Sequence, residues 1–227
     1  MIRLARLKGC SIIFLDRDGT VNVKPPDAQY VTSPAQLFLI PGAAAAIARL
    51  NAAAVSVILV TNQRWLSSPT GDLSSYLRVH ARLEELLAAQ GAHLDAAYYC
   101  PHACGSCQCR KPGPGMLQRA AMEHRFNLDA AVMIGDQETD VAAGRAAGTA
   151  TILLRNRSQV ASHNADFVFE SLADAARLVL GSTLSPLRDA RAARRLRHRC
   201  PMSWVTGEPH WPTETPDAGV AAEAIGA

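Results

Sequence analysis

Two aspartates at the end of an apolar run constrain the fold of this chain more than any other feature. Residues 11–15 are apolar and β-favouring apart from one serine, and the run stops at Asp16, Asp18 and Gly19. Such a run predicts a buried strand of a parallel sheet that delivers its carboxyl end to a loop. Side chains two positions apart in an extended segment point the same way, so we expect Asp16 and Asp18 to face one pocket.

A pocket that holds two carboxylates needs a compensating charge. The two groups repel each other at neutral pH unless a metal ion or a shared proton offsets their charge. Taken alone, the stretch is equally compatible with a strand-ending turn whose charges are solvated, because Asp and Gly are common turn residues. Polar residues at the ends of other strands would favour the site over the turn.

Three further apolar runs predict strands that also end in polar side chains. These strands are residues 55–60, 96–99 and 130–134. The polar residues that follow them are Thr61 and Asn62, then Arg110 and Lys111, and finally Asp136 and Asp140. In an open parallel sheet the carboxyl ends of the strands converge on one crevice. We therefore expect all of these side chains to belong to one site.

Helical segments separate the predicted strands. We expect helices at residues 43–53, 73–90, 115–126 and 172–180, another that ends near Ala147, and two more strands at residues 149–154 and 166–169. In the 73–90 helix the apolar side is predicted from Leu73, Leu77, Leu83, Leu86 and Leu87. The alternation predicts an α/β fold, a Rossmann-like parallel sheet with helices on both faces, in a domain of residues 1–181.

Composition and charge limit the function classes. The formal net charge is only +3, which is too weak to imply nucleic acid or an anionic membrane surface as a partner. No apolar run is long enough for a membrane span or the core of a signal peptide, so we expect a cytoplasmic protein, with a monomer favoured. Residues 182–227 predict a basic helix and a flexible tail. The arginines of the predicted helix are more typical of a solvated face or a docking helix than of a nucleic-acid contact.

A cluster of cysteines predicts a metal site. Six cysteines occur in the chain, and four of them lie between residues 100 and 109. The ligand set Cys100, His102, Cys107 and Cys109 offers three thiolates and an imidazole, which suit tetrahedral Zn²⁺ with a closed, structural shell. Cys104 is a fifth candidate that could replace Cys107. Buried or oxidised cysteines without a metal are the alternative.

The motifs together resemble those of the haloacid dehalogenase superfamily of phosphohydrolases. The resemblance covers residues 11–156 and is carried by four motifs in order. They are Asp-x-Asp-Gly-Thr at residues 16–20, Thr61-Asn62, Lys111, and Gly135-Asp136 followed by Asp140. It implies a Mg²⁺-dependent phosphomonoester hydrolase.

The resemblance also implies roles for the acidic residues. Asp16 would attack phosphorus and form an aspartyl-phosphate. Asp18 would protonate the leaving group and then take a proton from the hydrolytic water. Mg²⁺ would be held by Asp16, Asp136 and Asp18, the last through its backbone carbonyl.

Thr61 and Lys111 would stabilise the transferring phosphoryl oxygens, and Asp140 would orient Lys111 or the metal site. Each of these roles has a structural alternative. Thr61 is equally compatible with a strand-end turn, and Asp140 nearly equally with charge compensation at a helix N-terminus. For Lys111 a solvated surface side chain is the less favoured alternative.

Within the superfamily, Cys-Pro-His followed by Cys-x-Cys-Arg-Lys-Pro resembles the heptose 1,7-bisphosphate 7-phosphatases and the related histidinol-phosphatases. These subfamilies have a small zinc loop instead of a large cap domain, and the roughly 40 residues between Asp18 and Thr61 are too few for such a cap. The resemblance implies that Arg110 binds the substrate's second phosphate, with Asn22, Asn62 and Gln63 as further substrate contacts. The loop after Gln63 and the residue Gln137 depart from the heptose pattern.

We therefore predict a phosphatase whose partner is a small phosphorylated metabolite, most simply heptose 1,7-bisphosphate at its 7-phosphate, in the synthesis of nucleotide-activated heptose. Histidinol phosphate is the nearest alternative substrate. A polynucleotide-end phosphatase is a second alternative, suggested by the arginines of residues 188–199. A zinc-folded binding module with inactive aspartates is the alternative outside the enzymes.

Overall fold

Short apolar segments pair into a single parallel sheet. The computed structural model describes Leu7 and residues 9–26, 29–155 and 164–183, and within these residues the sheet has six strands in the order β3-β2-β1-β4-β5-β6. The strands are β1 (Ile12–Leu15), β2 (Ser56–Asn62), β3 (Ala96–Cys100), β4 (Ala131–Gly135), β5 (Ala150–Leu154) and β6 (Phe167–Phe169). Every strand pair is parallel, and β1 lies between β2 and β4. The predicted fold class is confirmed.

A helix separates each pair of successive strands from β1 to β5, and a fifth helix follows β6, as the sequence predicts. They are α1 (Ala43–Ala52), α2 (Leu73–Ala88), α3 (Gly115–His124), α4 (Glu138–Ala147) and α5 (Leu172–Thr183). Asp72 caps α2, because its carboxylate accepts hydrogen bonds from the backbone N–H groups of Ser74 and Ser75 at 3.0 Å. A short 3₁₀ turn, Pro34–Gln36, precedes α1.

The two faces of the sheet bury two separate cores. Alternate side chains of β1, Ile13 and Leu15, join one core with residues of α1, α2 and α5. The intervening side chains, Ile12 and Phe14, join the other core with residues of α3 and α4. Because a strand alternates its side chains between faces, four consecutive apolar residues are needed to fill both cores. This explains why β1 is continuously apolar up to Asp16.

The buried side of α2 differs from the predicted one. Its buried residues are Tyr76, Val79, His80, Leu83 and Leu87, whereas Leu73 is 46% exposed. The leucine pattern alone was therefore a wrong guide to the first two turns of the helix. Tyr76 and His80 lie at helical spacing from Leu83 and Leu87, so these four residues form one buried stripe that extends to the N-terminal half of the helix.

The predicted basic helix and tail lie outside the described residues from position 184 onward. Helix α5, predicted to end near position 180, continues to Thr183. Among the described residues, no helix is both long enough and apolar enough to cross a membrane.

The corrected stripe of α2 makes a stability prediction. Leu83→Ala removes a fully buried side chain from the core and is expected to lower the free energy of unfolding by about 2–5 kcal/mol. Leu73→Ala, the matched control on the exposed side of the same helix, is expected to change it by less than about 0.5 kcal/mol. Urea denaturation measures both values. Equal losses in the two variants would contradict this assignment of the buried side.

Candidate active site

The ends of three neighbouring strands bring the predicted site residues together. Asp16 directly follows β1, Thr61 lies at the end of β2, and Asp136 directly follows β4. The backbone N–H of Asp16 donates to the carbonyl of Ile134 at 3.0 Å, which ties the end of β1 to that of β4. Strand geometry alone therefore places the acidic residues at one edge of the sheet.

Lys111 is buried among the acidic residues. Its Nζ donates to Asp16 Oδ1 at 2.6 Å and to the carbonyl of Val60 at 2.8 Å, and it lies 2.7 Å from Asp140 Oδ1. An ammonium has three N–H donors, and these three oxygens can accept all of them. Lys111 is only 3% exposed, so the surface-lysine interpretation is wrong.

Burial and charge act against each other in this cluster. Burial raises the pKa of Asp16 to about 6, and the Lys111 ammonium opposes that rise. Burial alone would lower the pKa of Lys111, but the Asp140 and Asp16 carboxylates outweigh it and hold this pKa above its usual value. At neutral pH Asp16 is thus an anion and Lys111 a cation.

Asp136 completes a group of carboxylates that fits a hard cation. One oxygen each of Asp16, Asp136 and Asp140 lies within 4.8 Å of the others. The Oδ2 atom of Asp136 accepts a hydrogen bond from Gln137 Nε2 at 2.6 Å, but its Oδ1 is buried and has no hydrogen-bond partner among the described residues. Burial raises the pKa of Asp136, with a further contribution from Asp16. An unpaired buried carboxylate oxygen among other carboxylates suits Mg²⁺, which prefers oxygen ligands.

Gly19 allows this close approach. A Cβ atom at this position would lie 2.5 Å from Asp136 Oδ2, and the residue has a φ of +95°. Both the space and the backbone conformation therefore require glycine.

A ring of hydrogen-bond donors surrounds the carboxylate of Asp18. Arg17 Nη2 lies 3.0 Å from Asp18 Oδ2, Asn22 Nδ2 donates to Oδ1 at 2.9 Å, and Gln63 Nε2 donates to Oδ2 at 3.0 Å. The Asp18 side chain keeps 20% of its surface exposed, whereas Arg17 is fully buried. Asp18 is therefore held from behind and open on one side.

Asn22, Asn62 and Gln63 make hydrogen bonds to the predicted catalytic residues. Asn22 and Gln63 are fully buried, and their amide N–H groups donate to Asp18. Asn62 uses both ends of its amide on the backbone of Lys111, donating to its carbonyl at 3.0 Å and accepting from its N–H at 3.1 Å. The three side chains therefore support Asp18 and Lys111, and their contact with substrate stays a prediction.

Arg17 and Trp65 also belong to this group of contacts, although the sequence predicted no role for either. The guanidinium of Arg17 lies 5.8 Å from the centre of the Tyr76 ring, and the Tyr76 ring lies 4.5 Å from that of Tyr99. Trp65 donates from Nε1 to Gln63 Oε1 at 2.8 Å. The only signal for Arg17 was its place between two aspartates, which is also typical of a solvated turn.

The cysteine cluster forms a compact ligand set. The ligand atoms of Cys100, His102, Cys107 and Cys109 all lie within 4.8 Å of one another, and Cys104 is exposed and outside this group. The Sγ atom of Cys109 lies 3.4 Å from that of Cys100, 3.2 Å from that of Cys107 and 3.2 Å from His102 Nδ1. Two sulfurs bound to one tetrahedral Zn²⁺ are about 3.8 Å apart. The cluster therefore fits a metal ion after a small expansion.

Arg110 lies between the cysteine cluster and Lys111. It is half-buried, and its Nη1 atom is buried without a hydrogen-bond partner among the described residues. Arg110 also lowers the pKa of Cys104 through its charge. The side chain thus has donor capacity that the described residues do not use.

Comparisons with known proteins agree with this geometry. A family model for HAD-hydrolase-like proteins matches residues 108–175. The D-glycero-beta-D-manno-heptose-1,7-bisphosphate 7-phosphatase of Pasteurella multocida is 35% identical over 180 residues, covering 74% of this chain and 96% of that protein. The D-glycero-D-manno-heptose-1,7-bisphosphate 7-phosphatase of Thermosynechococcus vestitus is 42% identical, covering 63% of this chain and 78% of that protein.

A solved structure has the same fold and a related sequence. The D,D-heptose 1,7-bisphosphate phosphatase of B. bronchiseptica, crystallised with magnesium and phosphate, matches with a TM-score of 0.70 and 34% identity. The match covers 76% of this chain and 99% of that structure.

The buried lysine makes a prediction about stability. In metal-free buffer, Lys111→Met leaves two buried carboxylates uncompensated and is expected to lower the free energy of unfolding by about 3–5 kcal/mol. Lys24→Met, the matched control, removes a lysine that is 42% exposed and lies 3.5 Å from Asp136, so its effect should stay below about 1 kcal/mol.

Adding Asp140→Asn to Lys111→Met should recover part of the loss, because it removes one of the two uncompensated charges. Chemical denaturation of the parent protein, Lys111→Met, Asp140→Asn and the double variant measures this coupling. Strict additivity of the two substitutions would show that the contact does not stabilise the fold.

Proposed function

This chain belongs to the heptose 1,7-bisphosphate 7-phosphatase family of HAD-like phosphatases, and we propose that it hydrolyses the 7-phosphate of D-glycero-D-manno-heptose 1,7-bisphosphate. The observation that carries the proposal is the pairing of Asp16, buried and anionic, with Lys111 at the edge of a group of carboxylates. This arrangement supports phosphoryl transfer to a carboxylate. The names of the relatives support the substrate.

Charge repulsion opposes the attack of Asp16 on a phosphate group. A phosphate dianion about 4 Å from a carboxylate is repelled by about 8 kcal/mol at an effective dielectric constant near 20. Lys111 offsets part of this repulsion. Asp16, Asp136 and the backbone carbonyl of Asp18 would hold Mg²⁺, which supplies charge neutralisation for the transferring phosphoryl group.

Asp140 has a different role in this proposal. Its Oδ1 lies 2.7 Å from Lys111 Nζ, and its Oδ2 accepts the backbone N–H of Gln137 at 3.0 Å. Both oxygens are therefore used within the chain. Asp140 holds Lys111 in position, and it also accepts a backbone hydrogen bond at the N-terminus of α4.

The reaction proceeds in two steps on the side chains of the protein. A carboxylate oxygen of Asp16 attacks phosphorus, the bond from phosphorus to the C7 oxygen breaks, and Asp18 gives its proton to that oxygen. The carboxylate of Asp18 then takes a proton from water, which attacks the phosphorus of the aspartyl-phosphate. Inorganic phosphate leaves, and Asp16 and Asp18 return to their starting states.

Two further residues would bind the substrate's phosphates. Thr61 donates to a transferring phosphoryl oxygen, and Lys111 neutralises its charge. Arg110, with a buried donor that lacks a partner, would bind the phosphate at C1, because a guanidinium matches a phosphate with paired hydrogen bonds. Specificity for a bisphosphate would then depend on Arg110.

The cysteine cluster would bind a structural Zn²⁺. Cys109 lies two positions before Lys111, so closing the metal loop restricts the path of the chain into the site. Asn62 fixes the backbone of Lys111 from the other side through two hydrogen bonds. The proposed zinc therefore acts on catalysis only by placing Arg110 and Lys111.

Phosphate release tests the reaction. Asp16→Asn is expected to lower turnover of heptose 1,7-bisphosphate by several orders of magnitude, because it removes the nucleophile. Asp129→Asn is the matched control, since Asp129 is an exposed aspartate that precedes β4 at the opposite end of the sheet. Unchanged phosphate release in Asp16→Asn would refute the mechanism. Faster turnover of histidinol phosphate than of the bisphosphate by the parent protein would refute the substrate.

The zinc proposal predicts that substitutions of Cys109 and Cys104 have different effects. Cys109→Ser should lose bound zinc, unfold at a lower temperature and lose activity that added Mg²⁺ does not restore. Cys104→Ser should keep about one zinc per chain, because Cys104 lies outside the ligand group. Metal content by mass spectrometry, thermal melting and phosphate release measure the three properties. A fully active Cys109→Ser protein would show that the loop works without a metal.

A further inference from the structure

The side chain of Gln63 joins two residues of the proposed machinery to Trp65. Its Nε2 donates to Asp18 Oδ2 at 3.0 Å and to Thr61 Oγ1 at 2.8 Å. Its Oε1 accepts from the indole Nε1 of Trp65 at 2.8 Å. Gln63 is fully buried and Trp65 is 9% exposed, so water has little access to replace any of these bonds.

The chemistry of the neighbours permits only one orientation of the Gln63 amide. An indole N–H can only donate a hydrogen bond. Trp65 therefore requires the amide oxygen on its side, which leaves the amide nitrogen to donate to Asp18 Oδ2. A half-turn of the amide would place an oxygen against Asp18 and two donors against each other at Trp65.

The same orientation directs the hydroxyl of Thr61. The amide nitrogen carries two hydrogens and no acceptor, so Thr61 Oγ1 must accept one of them. The proton of the hydroxyl then remains available for a different acceptor. In the proposed reaction that acceptor is an oxygen of the transferring phosphoryl group.

We propose that Trp65 is a positioning residue for this reaction, which locks the Gln63 amide so that it holds the carboxylate of Asp18 and the hydroxyl of Thr61 together. The inference rests on the proposed function, because it assigns Asp18 the proton transfer to the leaving group. Arg17 and Asn22 also hold Asp18, but their contacts among the described residues do not include Thr61. Gln63 is the described side chain that bonds both residues, and Trp65 fixes which way it faces.

The dependence on the leaving group tests this role. A sugar alkoxide needs the proton of Asp18 to depart, whereas 4-nitrophenolate departs without one. Trp65→Phe removes the indole N–H and keeps an aromatic ring. In the Mg²⁺-loaded full chain it should lower kcat/KM for heptose 1,7-bisphosphate by about 10-fold or more, and that for 4-nitrophenyl phosphate by less than about 3-fold.

Two companion variants make the result specific. Ser67→Ala, the matched control, removes a hydrogen bond to the carbonyl of Arg64 in the same 3₁₀ turn, Arg64–Ser67, without touching Gln63, and should leave the ratio of the two kcat/KM values unchanged. Gln63→Met keeps the length of the side chain, removes the amide, and should reproduce the selective loss even if Trp65→Phe folds poorly.

The outcomes separate this inference from the proposed function. A selective loss for the sugar phosphate in Trp65→Phe or Gln63→Met supports the positioning role. Equal losses for both esters in both variants would show that the residues are merely structural, and unchanged kinetics would show that they are dispensable; either result overturns the inference while the parent enzyme remains a phosphatase. A parent protein that hydrolyses neither ester would overturn the proposed function together with this inference.

Discussion

The contact of one buried ammonium with two carboxylates is the interaction on which the site depends. Lys111 reaches Asp16 after β1, the carbonyl of Val60 in β2 and Asp140 in α4. Each of these charges would be costly to bury alone, because the interior solvates ions poorly. The lysine therefore connects three elements that the sheet brings near one another, and their positions depend on its charge.

The carboxylates and the lysine reach the site in different ways. Asp16 and Asp136 directly follow parallel strands, so the pairing of β1 with β4 sets their separation. Lys111 comes from a segment between β3 and α3 that belongs to neither. Such a segment needs other constraints, and the amide of Asn62 supplies one through paired hydrogen bonds to the backbone of Lys111. The cysteine cluster just before Arg110 is suited to supply the other.

The sequence predicted the elements well and the supporting contacts poorly. Continuous apolar runs located β1 and β4, because strands buried on both faces leave no polar positions. The leucine pattern of α2 misled because Tyr76 and His80, which are not obviously core residues, complete the buried stripe. The clustering of the cysteines with His102 was predictable because metal chemistry restricts residue type and spacing.

Side chains that support other side chains have no comparable signature. Asn22 and Gln63 were predicted to contact substrate, and their burial behind Asp18 depends on the conformation of two loops that no periodicity describes. The burial of Arg17 was not predicted for the same reason. The sequence of a turn does not show whether an arginine within it is buried or exposed. The family resemblance identified which residues are present at the site but not which of them face the substrate.

The balance of charge explains why the site suits a divalent cation. Asp16, Asp136 and Asp140 bring three carboxylates together, and Lys111 is the buried cation that contacts two of them. Three carboxylates thus surround one buried ammonium, which leaves an excess of acidic groups in the cluster. Lys24 offsets this only weakly, because its side chain is 42% exposed and its charge is screened by solvent. A divalent ion would offset the excess of carboxylates, and a phosphate dianion could then approach Asp16 against weaker repulsion.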